Sequence, residues 1–236
     1  MLLLFDIDGT LIRSGGAGRL AMNRALVDIL GVDGLLDGYP LSGRTDLEIV
    51  GHALDKHAVY SPEERHQRCQ EVFARYLEWL PHTLKETDRY EILHGVQETL
   101  EWLVKQPYYV VALATGNQEE GAYSKLRYGQ LDSYFAQGGF GNEAAVRSEM
   151  LLKALEKAKE AGHDRALKDV WVIGDTPHDI TAARAAGMKV AAVATGGYDR
   201  DSLAEWTPDL LWNDMFEGLR WFQEQCPSTN ATTQES

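Results

Sequence analysis

The sequence predicts an α/β protein: a doubly wound parallel sheet interrupted, after its first strand, by an all-helical insertion. Three observations carry this prediction. Short Val-, Ala- and Leu-rich runs alternate with helical stretches through residues 95–225. Those runs end in small polar or acidic residues, and between residues 12 and 93 the alternation gives way to helical periodicity alone. Parallel strands buried on both faces read as unbroken apolar runs, and strands alternating with helices join by right-handed crossovers.

Each element follows in order. Leu2, Leu3, Leu4 and Phe5 form the first strand and run into Asp6, Ile7, Asp8, Gly9 and Thr10. Alternation puts Asp6 and Asp8 on one side, where two like charges call for a cation or a shared proton. The same residues also fit an ordinary strand closed by an Asp-Gly turn. Helical periodicity then marks 20–30, 47–54 and 62–80, the last with Cys69, Phe73, Tyr76 and Leu80 on one stripe, read as core packing. Ser14 to Gly18 form a glycine-rich joint that matches neither the dinucleotide fingerprint nor the Lys-ended nucleotide loop. A second joint spans 87–95. Strands are then predicted at 108–114, 170–173, 189–194 and, shorter, 209–212. Helices are predicted at 119–128, at 144–161 stopped by Gly162, at 177–186 stopped by Gly187, and at 215–225. The organisation that results is a core of residues 1–13 and 95–225, a helical cap with its hinges at 14–94, and a disordered tail at 226–236.

Composition narrows the class. A chain of 236 residues with 44% hydrophobic side chains can bury a full core. Its 23 Lys+Arg against 36 Asp+Glu give a net charge of −13, which repels nucleic acid and anionic membranes, so neither is expected as a partner. An anionic substrate then needs a local positive site. The two cysteines, Cys69 and Cys226, are too far apart in sequence for a disulfide framework or a close thiolate zinc site, and fit a reducing cytoplasm. The first apolar run, stopped by Asp6, is too short for a signal core or a membrane span. The sequon at Asn230 lies in the polar tail and is read as unused. A monomer and a homodimer are both compatible.

Polar residues gather at the carboxyl ends of the strands, where ligands bind in open parallel sheets. Asp6 and Asp8 follow the first; Thr115, Gly116 and Asn117 follow the second; Gly174 and Asp175 follow the third. Thr115 and Gly116 can seat a phosphate, with Asn117 beside them, or simply cap the next helix. Asp175 can join Asp6 and Asp8 around one hard cation, and so sparse a carboxylate set suits magnesium better than calcium. Thr176, Pro177, His178 and Asp179 read as a capping box with Pro at the first helical position, so Asp179 serves the helix, the site or both. His178 is read as facing solvent. Gly43, Arg44, Thr45 and Asp46 open a cap helix, either as a substrate selector or as a turn capped by Thr45.

In this order on these strand ends, Asp6-Ile7-Asp8-Gly9-Thr10, Thr115-Gly116-Asn117 and Gly174-Asp175-Thr176-Pro177-His178-Asp179 resemble the motifs of the haloacid dehalogenase superfamily phosphohydrolases. The resemblance covers Met1 to about Gln225, and the cap placement is similar to the phosphoglycolate phosphatase-like branch. It implies a Rossmann-like core, a magnesium cofactor and a small phosphorylated metabolite as substrate. It further implies Asp6 as nucleophile forming an aspartyl-phosphate, Asp8 as acid and base, and magnesium held by Asp6, Asp175 and the main-chain carbonyl of Asp8. Thr115 and a basic residue would hold the transferring oxygens. That residue, Lys in the family, is assigned to Arg147, with Lys153 as runner-up. Thr10 would orient Asp8, Asp179 would hold Asp175 or the basic residue, and Arg44 would meet the substrate. His94 stands where the family usually has Pro. Asp8 favours phosphoryl over dehalogenase chemistry. A sugar phosphomutase and a non-catalytic phosphoacceptor are the alternatives.

Overall fold

A computed structural model describes residues 1–227. Of the tail expected at 226–236, Cys226 is described and packs partly buried against the core, while the residues beyond Pro227, with the sequon at Asn230, lie outside the described residues. The chain opens with β1 (Leu2–Phe5), fully buried, then a short β2 (Ile12–Arg13). Three helices follow: α1 (Ala17–Leu30), α2 (Asp46–His57) and α3 (Pro62–Glu86). β3 (Glu91–Ile92) pairs antiparallel with β2 and brings the chain back beside its point of departure. The alternating part comprises α4 (Val96–Leu103), β4 (Val110–Thr115), α5 (Glu119–Tyr128), β5 (Gly138–Phe140), α6 (Arg147–Glu160) and β6 (Val170–Gly174). It continues with α7 (Pro177–Ala185), β7 (Lys189–Val193), α8 (Arg200–Ala204), β8 (Leu210–Trp212) and α9 (Met215–Gln225).

Six parallel strands form the main sheet in the order β5-β4-β1-β6-β7-β8, so β1 lies centrally between β4 and β6. Strand order reverses on either side of β1, which opens a crevice at its carboxyl end. The register aligns Phe5 with Leu113 and with Ile173, so Asp6, Thr115 and Asp175 emerge together at that edge.

Alternation along β1 divides the core between two faces. Leu3 and Phe5 pack with Leu100 of α4, Leu126 of α5 and Phe222 of α9. Leu2 and Leu4 pack with Ala154 of α6 and Ala183 of α7. The helical insertion has its own apolar cluster, in which Ala21 and Leu26 of α1 meet Cys69, Val72, Tyr76 and Leu80 of α3. Cys69 is buried there as its stripe predicts, and burial pushes its thiol up to about 11, leaving it unreactive at neutral pH. Among the described residues no helix is long and apolar enough to cross a membrane.

Several boundaries differ from the sequence reading. α3 continues past Pro81 to Glu86 because Thr83 and Leu84 extend its buried face. The helix read from residue 144 begins at Arg147, and the strand read from Tyr108 begins at Val110. β5 escapes detection because its Gly138 and Gly139 carry no hydrophobic signal. They are there for space: a Cβ on Gly139 would lie 2.3 Å from the Met150 carbonyl oxygen of α6.

Candidate active site

The site grows from the end of β1. Asp6 is anchored by its backbone N–H, which donates to the Ile173 carbonyl at 2.9 Å. Its carboxylate faces Arg147, the first residue of α6, whose Nη2 lies 3.2 Å from Asp6 Oδ1. The same guanidinium grips Asp179 Oδ1 through Nε at 2.9 Å and Nη2 at 2.5 Å. Asp179 completes the capping box of α7, its Oδ2 accepting from the Thr176 N–H and hydroxyl. It therefore does both jobs, holding the helix and holding the basic residue. Lys153 points elsewhere, its Nζ donating to the Glu143 carbonyl oxygen.

Asp175, leaving β6, stands beside this pair. Oxygens of Asp6, Asp175 and Asp179 lie within 4.8 Å of one another, all buried. Burial pushes Asp6 up to about 6 despite Arg147, and burial with Asp6 and Asp179 nearby raises Asp175 well above the usual carboxylate range. Three clustered carboxylates against one guanidinium leave negative charge uncompensated, which a hard divalent cation would balance. The residues fit such an ion. Asp6 and Asp175 have oxygens to offer it, whereas both oxygens of Asp179 are engaged with Arg147 and Thr176. Thr10 departs from expectation: its hydroxyl donates to Asp175 Oδ1 at 3.3 Å rather than orienting Asp8. The turn through Gly9 carries it to the β6 side, and a Cβ on Gly9, whose φ is +88°, would strike Asp175 Oδ2 at 2.4 Å.

The Asp8 carboxylate turns away from the acidic cluster, so the expectation that Asp8 itself joins the metal set is not met by its side chain. Its Oδ2 accepts from Lys125 Nζ at 2.6 Å and Asn117 Nδ2 at 2.8 Å, and its Oδ1 accepts from the Ser14 hydroxyl at 3.2 Å. Enclosure alone would raise Asp8, but Lys125, with Asn117 and Ser14, brings it below the ordinary carboxylate value. Asn117 also donates to Thr115 Oγ1 at 2.7 Å, and its Oδ1 accepts from Lys125 at 2.6 Å. Its amide is thus spent inside the site. Lys125 and Ser14 were not singled out from sequence. An amphipathic reading of residues 119–128 puts Lys125 beside Ala122 and Leu126 on the buried side, and a lysine on an apolar face was the available signal.

The cap closes the site from above. The backbone N–H groups of Asp46 and Leu47 donate to the carbonyls of Gly116 and Gly141 at 2.7 and 3.2 Å, and Asp46 Oδ2 accepts from the Gln118 N–H at 2.7 Å. A Cβ on Gly116 would sit 2.1 Å from the Arg44 carbonyl oxygen, so glycine here admits the cap rather than a ligand alone. Thr45 caps α2 by accepting from the Glu48 N–H. Arg44 lies over the Tyr39 ring and pairs with Glu48, while His178 is exposed and packs against Gly43. Between cap and core lies a cavity of about 250 Å³, lined by Asp6, Asp8, Arg19, Arg44, Lys125 and Arg147 among others. Its size admits a small molecule, and it gathers Arg19, Arg44, Lys125 and Arg147 beside Asp6, Asp8 and Asp46 in a chain of net charge −13.

The family model described as haloacid dehalogenase-like hydrolase matches residues 3–193. A phosphoglycolate phosphatase of Pseudomonas fluorescens is 28% identical over 220 residues, covering 91% of this chain and 76% of that protein. The pyrophosphatase PpaX of Bacillus cereus is 26% identical over 223 residues, covering 92% and 94%. Among solved structures, a β-phosphoglucomutase from Clostridium difficile superposes with a TM-score of 0.68 at 18% identity, covering 94% of this chain and 95% of that one. At that identity the likeness concerns the fold.

Proposed function

The chain belongs to the haloacid dehalogenase-like hydrolases, and from that membership we propose that it is a magnesium-dependent phosphatase of a small phosphorylated metabolite, phosphoglycolate-like or a sugar phosphate. That it is a hydrolase of phosphate esters agrees with the phosphoglycolate phosphatase relative, and the pyrophosphatase relative shares phosphoryl hydrolysis; each match spans nine-tenths of this chain. The observation that carries the reading is Asp6 facing Arg147 in the same cavity as Asp8. Asp6 attacks phosphorus and takes the phosphoryl group, a use of carboxylates known in covalent catalysis. Arg147, steadied by Asp179, stabilises the charge on the transferring oxygens, with the Thr115 hydroxyl as a further donor. Asp8 gives a proton to the leaving oxygen and later accepts one from water. Magnesium held by Asp6 and Asp175, when bound, offsets the repulsion between an anionic nucleophile and an anionic phosphate. Residues 14–94 act as the cap, and Arg44 and Asp46 face the leaving group from it. The setting proposed is the cytoplasm.

The mutase alternative gains less support, since the similarity to β-phosphoglucomutase is one of fold. A panel of phosphorylated metabolites assayed for phosphate release with magnesium, alongside Asp6→Asn, tests the proposal. Magnesium-dependent release that Asp6→Asn abolishes is expected. Release that survives in Asp6→Asn, in a preparation free of other phosphatases, would overturn it.

A further inference from the structure

A buried lysine beneath a catalytic carboxylate needs an account, because taking an ammonium out of water is costly unless the site repays it. Lys125 is 4% exposed. It reaches Asp8 from α5, and α1 makes room for it: a Cβ on Gly18 would lie 3.2 Å from its Nζ. Its two short contacts, both 2.6 Å, go to Asp8 Oδ2 and to Asn117 Oδ1, and Asn117 in turn donates to the same Asp8 Oδ2. Lys125, Asn117 and Asp8 thus form a closed triangle on one carboxylate oxygen. Among the described residues the other oxygen, Oδ1, accepts a hydrogen bond from the Ser14 hydroxyl alone, at 3.2 Å.

We propose that Lys125 is the positioning residue of the acid–base step: with Asn117 it ties down Oδ2 of Asp8, so that Oδ1 alone carries the transferred proton toward the substrate. This rests on the phosphatase reading above. The triangle fixes Oδ2 in both states of the carboxyl group: Lys125 favours the ionised form that accepts a proton from water, and Oδ2 still accepts both donors once that proton sits on Oδ1. As the Asp6–phosphorus bond forms, the bond from phosphorus to the ester oxygen breaks. Its electron pair stays on the ester oxygen, which takes the Oδ1 proton and leaves as an alcohol. In the second half, water oxygen bonds to phosphorus as the Asp6–phosphorus bond breaks, and the water proton returns to Oδ1. Without Lys125 the carboxyl group can rotate, and the proton is no longer held toward the leaving group.

Acid assistance matters most for a poor leaving group, which gives a readout that mere loss of packing would not produce. Wild type, Asp6→Asn, Lys125→Met and Asn117→Leu are assayed on p-nitrophenyl phosphate and on an alkyl phosphate, glycerol phosphate, with circular dichroism of each. For Lys125→Met, kcat on glycerol phosphate is expected to fall at least about tenfold further than kcat on p-nitrophenyl phosphate, with KM nearly unchanged. Equal loss on both esters, no loss, or a raised KM at unchanged kcat would overturn the inference, the last by making Lys125 a substrate contact. If Lys125→Met does not fold, Asn117→Leu is judged by the same criteria, since it removes the other Oδ2 donor. Activity that persists in Asp6→Asn, or a wild type inactive on both esters, strikes the phosphatase reading itself. A selective Lys125 effect absent from an otherwise well-behaved enzyme strikes only this inference.

Discussion

Arg147 is both a cavity-lining cation and a strut, because one guanidinium spans Asp6 and Asp179. Truncating it removes a charge-assisted contact of roughly 1.5–3 kcal/mol, so Arg147→Ala is expected to lose at least about tenfold in kcat/KM. Lys153→Ala is expected to be mild, since Lys153 donates to the Glu143 backbone carbonyl outside the site. Steady-state kinetics of the two variants decide it, and the reverse ranking would return the role to Lys153. Asp46 offers a test by pH. Burial pushes it up to about 6 from an ordinary 3.8, so the native state holds its proton more tightly than the unfolded chain does. Its ionisation therefore opposes folding: stability is favoured below 3.8, falls as pH rises towards 6, and stays lower above. Asp46→Asn keeps an acceptor for the Gln118 N–H and should be the more stable protein at pH 7, by up to about 3 kcal/mol. Urea unfolding at pH 4 and pH 7 reads the difference, and an equal gap at both pH values would contradict it. At this scale the sequence exposed Asp6, Asp8, Asp175 and Asp179, because carboxylates after apolar strands stand out. It hid Lys125 and Ser14, whose roles arise only when α5 and the first joint fold back onto Asp8, and it could not say which carboxylate Thr10 would meet.

At the level of elements, β1, β4, β6 and β7 were legible because continuous burial demands continuous apolar residues, and α5, α6, α7 and α9 because their caps and stops are local, whereas the five-residue α8 is too short to show a periodicity. β5 was not, since its glycines answer to the approach of α6 rather than to burial. Nor was the β2–β3 ribbon, two residues a side, whose pairing depends on chain segments almost eighty residues apart. The seating of the cap was equally out of reach of the sequence, because it is written in backbone contacts between Asp46 and Gly116 and in the absence of a side chain on Gly116. Gly116→Val should therefore hold the cap off the core. Expected are a strongly reduced kcat/KM and faster proteolysis within residues 14–94, with the core still folded by circular dichroism. Activity close to wild type would show that this contact is dispensable.

For the whole molecule, a chain of net charge −13 gathers Arg19, Arg44, Lys125 and Arg147 in one cavity at the sheet edge that also carries the Asp6, Asp175 and Asp179 cluster, and the proposed metal can be tested there. Removing divalent metal with EDTA should silence phosphate release and magnesium should restore it. Magnesium should also raise the thermal midpoint of wild type but not of Asp175→Ala, because an ion bound only by the folded state stabilises it by mass action. Unchanged activity in metal-stripped protein would remove the ion from the mechanism. Covalent capture by Asp6 is the centre of the account, and rapid acid quench of the turning-over enzyme followed by peptide mass spectrometry addresses it most directly. A phosphoryl increment is expected on the peptide bearing Asp6, disappearing once the substrate is consumed and never forming in Asp6→Asn. A phosphoryl group found on another residue, or full turnover by Asp6→Asn with no increment, would contradict it.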